Sequence, residues 1–308
     1  MAESKLKVGG QAILEGVMMR AGKSLAMSVR RADGRIVTES EPVRSVADTW
    51  PWLRWPLIRG VLVLYESLAL GLKALDWSGR QALADESAPG AAPTDAKRDR
   101  WLMIGTLVFG LALGIVLFGA VPYLAAQWTS HWVAGGSGRL VFNGLNGLYK
   151  LTVFLGYLWA MSWVPDLRRV FMYHGAEHKA IFAWEQDGAL SAAAAASHSR
   201  LHPRCSTAFL VLVLLVSILV FALCLPRTLA LPARLAGEIL LLLPIAGVTY
   251  ELQRLSANYH HLGWVRVLAA PGLLVQRLTT REPDTQQLEV AVAALSGALE
   301  LEKERGEG

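Results

Sequence analysis

The chain is short of charge and short of cysteine. Of its 308 residues only 18% are Asp, Glu, Lys or Arg, while 53% are hydrophobic; soluble domains carry roughly a quarter charged. The apolar residues are bunched into long runs and the mean hydropathy is +0.36. An ordinary soluble domain is excluded on these grounds, and a membrane protein is indicated. With only Cys205 and Cys224 present, a disulfide scaffold is excluded as well. Both read onto one helical run, which would hold their Cα atoms ~28 Å apart at ~1.5 Å per residue, whereas a disulfide requires about 7 Å or less. The N-terminus, MAESKLKVGGQAILEG, lacks an apolar signal core, so no cleaved signal peptide is expected. Also missing are a G-x-S-x-G elbow, a compelling Ser-His-Asp order, a dinucleotide fingerprint and a phosphate loop. Gly22-Lys23-Ser24 lacks the preceding glycine that a phosphate loop requires.

The net charge is +5, but the basic residues flank apolar runs. There they orient helices and meet anionic lipid, so the expected partner is the lipid bilayer and not nucleic acid.

Residues 1–50 read as a small cytoplasmic β element, with strands LAMSVRR and RIVTES around the turn Ala32-Asp33-Gly34. Residues 51–78 read as an interfacial or re-entrant helix. In it Arg59, Glu66 and Lys73 recur every seven residues and so share one helical face. A Pro/Ala-rich linker is expected over 79–100. Four spans follow: Trp101–Leu124 and Val141–Trp163 within 101–163, then Thr207–Leu225 and Leu235–Leu252 within 207–252. The segment 164–206 carries Arg168, Arg169, Lys179, Arg200 and Arg204, and the tail 253–308 carries Arg254, Arg266, Arg277 and Arg281. The positive-inside rule therefore places this segment and both termini in the cytoplasm of a bacterial inner membrane. ALSAAAAAS at 189–197 reads as a low-complexity connector, and Asp284–Glu304 as an amphipathic packing helix with Leu288, Val292, Leu295 and Leu299 on one face. The fold class is thus mainly α: a four-span bundle with an N-terminal β element and a C-terminal cytoplasmic helix.

The sharpest chemical signal is YHGAEHK at 173–179. On a helix His174 and His178 share a face at a spacing able to bind one Zn²⁺, and Glu177 stands beside them as a candidate general base, as in the H-x-x-E-H arrangement. His202-Pro203-Arg204-Cys205, in the same inter-span segment, supplies further transition-metal ligands. His174 and His178 with His202 or Cys205 would complete a site for a divalent transition metal, zinc by ligand type. GGQAILEGVMMR at 9–20 reads as a structural turn containing Glu15, a possible ligand, base or ion-pair partner. Glu251, at the inner end of the last span, reads as paired with Arg254 or Arg168. His260-His261 reads as solvated, and His131 and His198 as loop residues without companions.

Taken together, GGQAILEGVMMR, PLIRG, YHGAEHKAI, HPRCSTAF, TYE and PGLLVQRLTTREPDTQQLEVA resemble the YqhQ-like bacterial membrane proteins. These form a domain-of-unknown-function family described as predicted metal-dependent enzymes, and the resemblance runs from Val8 to Leu295. It implies motif positions at Glu15, His174, Glu177, His178, His202 and Cys205, with one departure: Ser206 stands where the family reads glycine. The expected function is a membrane-embedded metal-dependent hydrolase at the cytoplasmic interface, with Glu177 as base and Glu15 or Glu251 assisting. Its location suggests a lipid-linked or membrane-peptide substrate. The alternative is a non-catalytic scaffold whose His/Cys/Glu cluster is structural. A transporter would want polar ligands at the bundle midplane, where only Asn143, Asn146 and Lys150 are on offer.

Overall fold

Four strands open the chain: β1 (Val8–Ile13), β2 (Gly16–Ala21), β3 (Ser24–Arg30) and β4 (Ile36–Pro42), an antiparallel meander in the order β1-β2-β3-β4. The computed structural model describes residues 6, 8–86, 96–133, 138–259 and 263–306. The expected strand pair around Ala32-Asp33-Gly34 is β3 and β4, with Gly34 at φ 85°. The GGQAILEGVMMR stretch, read as a turn, forms a second hairpin with Leu14-Glu15 at its tip. Gly9, Gly10 and Gln11 stand where large apolar residues would otherwise show the alternation, which hides this strand in the sequence.

Helix α1 (Val46–Thr49) and a 3₁₀ turn (Pro51–Arg54) lead into α2 (Ile58–Glu86). Helix α3 (Ala96–Ile115) passes through a π segment (Val116–Ala120) into α4 (Val121–Ser130). There follow α5 (Arg139–Met161), α6 (Pro165–Asp187), α7 (Ala192–Ala196), α8 (Ser206–Cys224), α9 (Leu231–Asn258), α10 (Gly263–Thr279) and α11 (Thr285–Gly306).

The sheet is covered on both faces. Val17, Met19 and Ala26 pack against Tyr173, Ala176 and Ala180 of α6 and Ala291, Ala294 and Leu295 of α11. Ile13, Met18, Leu25 and Met27 point the other way, toward Leu70, Ala74 and Trp77 of α2. Each large side chain buried here contributes roughly 1.5–3 kcal/mol. The expected tail helix is α11. Leu288 and Leu295 are buried as read, Val290 joins them, and Ala291, Ala294 and Ala298 bring the helix close to the sheet.

Two segments read as loose contain helix. Helix α2 continues to Glu86, so residues 79–86 of the expected linker are helical; 96–100 belong to α3 and 87–95 lie outside the described residues. The stretch 189–197 contains helix α7, capped by Ser191, whose hydroxyl accepts the Ala194 N–H at 3.2 Å, with Ala195 fully buried. Alanine is the best helix former, and its small side chain lets α7 enter the core. Beyond Pro271 the chain stays helical to Thr279 in α10. His260 and His261 lie outside the described residues.

The charged stripe of α2 faces protein. Arg59 pairs with Glu251 on α9, its Nε 2.7 Å from the carboxylate, so Glu251 has a different partner from the two expected. Glu66 accepts the Ser45 hydroxyl at 2.7 Å and the Val46 N–H at 2.9 Å. Lys73 pairs with Glu41.

Among the described residues three helical stretches are long and apolar enough to cross a membrane: Ile104–Ser130, Thr207–Cys224 and Leu231–Ser256. The other expected span, Val141–Trp163, corresponds to α5, 23 residues long. Its apolar run is broken by Asn143, Asn146 and Lys150, all buried in the bundle. Lys150 Nζ lies 2.7 Å from Glu238 Oε2 on α9. Arg234 Nε stands 3.3 Å from the other Glu238 oxygen and Arg234 Nη2 donates to Asn143 Oδ1 at 2.7 Å. Asn143 in turn donates to the Leu225 carbonyl at 3.2 Å, which leads the chain of polar contacts back to backbone.

Candidate metal centre

Helix α6 begins with Pro165 at its first turn and ends at Gly188, whose φ of 68° supplies the left-handed cap. Twenty-three residues long, it places His174 and His178 one turn apart on one face. Their ring centroids are 4.5 Å apart. Each imidazole is oriented through Nδ1 by a backbone carbonyl: His174 to Thr279 at 2.8 Å and His178 to Arg200 at 2.6 Å. A carbonyl only accepts, so in both rings Nδ1 carries the proton. In the neutral form of each ring the electron pair then lies on Nε2, which in His174 points at Cys205. This arrangement outside the ligand atoms is the one that fixes tautomer and ring direction in metal sites.

The third group is Cys205. It is the N-cap of α8, with its sulfur accepting the Thr207 N–H at 3.3 Å. Sγ lies 3.1 Å from His174 Nε2. The potential ligand atoms of His174, His178 and Cys205 all lie within 4.8 Å of one another, and all three residues are buried. His178 Nε2 has no hydrogen-bond partner. Ser206, in place of glycine, opens α8; the only non-glycine residues with positive φ among the described residues are Glu15 and Leu57.

Glu177 lies between the two histidines in sequence and is itself buried, with Oε2 unpartnered. Burial pushes its carboxyl up to about 7, against the opposing pull of His174 and the Gly10 N–H. It is not part of the His/His/Cys group. Gly10 makes this approach possible: a Cβ there would sit 3.0 Å from Glu177 Cγ and 2.8 Å from Met19 Sδ.

Of the expected ligands, the structure brings Cys205 into the group and leaves His202 outside it, its ring 5.6 Å from that of His178. His202 Nδ1 accepts the Arg204 N–H at 3.3 Å, and its Nε2 lies 3.8 Å from Glu185. Burial holds this imidazole below its ordinary range, although Glu185 opposes the shift. Gln276 clamps the His202 main chain on both sides, accepting its N–H and donating to its carbonyl, each at 2.8 Å. Glu15 sits on the β1–β2 turn, where Arg169 grips its carboxylate and the Tyr173 hydroxyl lies 3.4 Å away. His198, expected to be alone, pairs with Asp187 at 2.7 Å.

The residues that reasoning from the sequence missed are those acting through main-chain atoms. Thr279 and Arg200 supply carbonyls, which carry no side-chain signature. A second such element is the strap after α10, where the Arg281 N–H donates to the Phe171 carbonyl at 2.8 Å. The strap lies so close to α6 that a Cβ on Gly175 would stand 2.1 Å from the Arg281 carbonyl. Gly175→Ala should therefore cost about 1–3 kcal/mol and weaken metal uptake by displacing the strap that directly follows Thr279. Thermal unfolding and metal content report the two effects, and a variant matching wild type in both would contradict this packing role.

Beside the cluster lies a cavity of about 590 Å³. His174, Glu177, His178 and Cys205 line one part, Gly9 to Ala12 of β1 another, and Leu64, Leu68, Phe154, Leu158 and Leu210 of α2, α5 and α8 make apolar walls.

Residues 55–301 match the family model described as Protein of unknown function (DUF1385). An uncharacterized protein, YqhQ of Bacillus subtilis (strain 168), is 30% identical over 301 residues, an alignment covering 96% of this chain and 92% of the relative. No solved structure matches the chain significantly. The chain belongs to the DUF1385 family.

Proposed function

We propose that this member of the DUF1385 family is a membrane-embedded, metal-dependent hydrolase with its centre at the cytoplasmic face of the bilayer. The carrying observation is the convergence of two carbonyl-oriented imidazoles and a thiol beside a buried, half-unpartnered carboxylate. Two nitrogens and one sulfur suit zinc. Three protein ligands leave a coordination position open, as catalytic zinc sites do. A bound divalent metal would polarise a substrate carbonyl or phosphoryl oxygen and acidify water at the site. Glu177 is then placed to take a proton from water and return it to the leaving group. Gly10 steadies one of its oxygens, and burial keeps the carboxyl from being held permanently ionised.

For the topology, α3–α4, α5, α8 and α9 are the spans. The cluster lies at the end of the bundle where α5 leaves, α8 enters and α9 leaves, which is the end richest in arginine. The positive-inside rule makes that end cytoplasmic, and the polar residues of α5 cross with their partners on α9.

A structural, non-catalytic cluster is the competing reading, favoured by the short His174–Cys205 contact. The test is metal analysis of purified protein, paired with a hydrolysis assay on Glu177→Gln. The hydrolase should hold one zinc per chain. Glu177→Gln should keep it while turnover falls by about 10²–10⁴-fold. Wild-type protein that cannot be loaded with any divalent transition metal would remove the reading.

A further inference from the structure

We infer that the substrate, given the hydrolase reading above, is an extended peptide leaving the bilayer that adds a strand to the free edge of β1, its scissile amide beside His174, His178 and Cys205. β1 is an edge strand, paired only with β2. The two-residue turn at Leu14-Glu15 makes Ile13 and Gly16 a hydrogen-bonded pair. Counting back in twos, Gly9, Gln11 and Ile13 bond to β2, whereas Val8, Gly10 and Ala12 turn their main-chain groups outward. The Gly10 N–H facing Glu177 fits that phase. No other hydrogen bond is made from the outward groups of Gly10 and Ala12 among the described residues.

Residues Gly9 to Ala12 line the cavity, so this edge opens onto the candidate centre. Native proteins usually blunt a free edge with charge, proline or a covering element. The β1 sequence VGGQAI has none of these residues, and a Cβ on Gly9 would meet nothing within 4 Å. A strand docked along Gly10 and Ala12 would pass beside Glu177, which lines the same cavity as His178. Strand addition takes its affinity from main-chain hydrogen bonds and its side-chain preference from flanking pockets. Here the flanking walls are apolar, and Leu68 and Leu210 are at once cavity residues and more than half exposed on the outer surface. The cavity thus has an apolar outer rim, which suits a chain emerging from a membrane. A lipid tail would leave the outward amide and carbonyls of β1 unpaired in an apolar space, an unfavourable arrangement. In the hydrolysis one water is consumed. Its oxygen bonds to the amide carbon, the carbon–nitrogen bond breaks, and the proton held by Glu177 goes to the departing amine.

The test uses full-length zinc-loaded protein in nanodiscs and a short capped peptide of alternating leucine and threonine. Each peptide amide is N-methylated in turn and the affinity measured. Strand addition predicts a period of two: methylation at alternate positions weakens binding by about tenfold, and at the positions between by little. Ala12→Pro should weaken the unmethylated peptide to a similar degree with metal content unchanged, because its N–H points away from β2 and the ladder survives. A flat methylation profile, or Ala12→Pro binding as wild type, would overturn the inference. The same scan on metal-free His178→Ala separates the two readings. A period of two in wild-type protein that takes up no metal would keep strand addition and discard the hydrolase.

Discussion

His178→Ala is expected to lower zinc affinity by more than about 100-fold while the protein stays folded. Removing even an orienting partner of a metal ligand costs 10- to 100-fold, and in the proposed centre His178 supplies a ligand atom itself. Its Nε2 has no other bond to lose. What remains, His174 and Cys205, can close on each other across 3.1 Å, so the variant retains a satisfied cluster. Dialysis against a chelator followed by elemental analysis gives the affinity, and circular dichroism reports the fold. His202→Ala is the informative contrast. Its ring is engaged by Arg204 and Glu185, so metal should be retained within about tenfold, the range for residues outside the ligand set. If His178→Ala keeps wild-type metal, or if the His202 change is the one that strips it, the assigned ligand set is wrong.

Glu238→Gln is expected to be the most destabilising single change in the bundle. Glu238 is the one carboxylate in contact with both Lys150 and Arg234, and all three side chains are buried. Losing it leaves two cations without a counter-charge where water is scarce. Breaking a buried pair from one side typically costs about 3–5 kcal/mol. Arg234 still has Asn143 Oδ1 and the faces of Phe142 and Tyr123, 5.2 and 5.7 Å from its guanidinium. Among the described residues Lys150 keeps only the Phe221 ring, at 4.7 Å. Adding Lys150→Met to Glu238→Gln should therefore recover part of the loss. Unfolding in detergent measures both variants. The cluster residues stand at the opposite end of the bundle, so metal content should be unaffected. A Glu238→Gln protein that unfolds like wild type would show that the network is dispensable.

Much of the centre was legible because its logic is local. A four-residue spacing puts two imidazoles on one face of any helix, whatever surrounds it, and a cysteine just before an apolar run is already placed as a cap. The choice of Cys205 over His202 was not legible. The two lie three residues apart, and only the path of the chain around Pro203 and the clamp from Gln276 turn one inward and the other toward Glu185. The stripe of Arg59, Glu66 and Lys73 was visible on α2, but its partners Glu251, Ser45 and Glu41 lie far along the chain. An amphipathic face states that something polar must meet it and does not state what.

The apolar runs and the helical spacing of YHGAEHK determined by themselves that this chain has helices long and apolar enough to cross a membrane and two imidazoles on one helix face, because periodicity and hydropathy depend only on neighbouring residues. Tertiary structure alone decided that the Cys205 thiol joins the two imidazoles, which carbonyls orient the rings, and that an open strand edge borders the same cavity. Those depend on main-chain groups common to every residue, and only the folded path gives them an address.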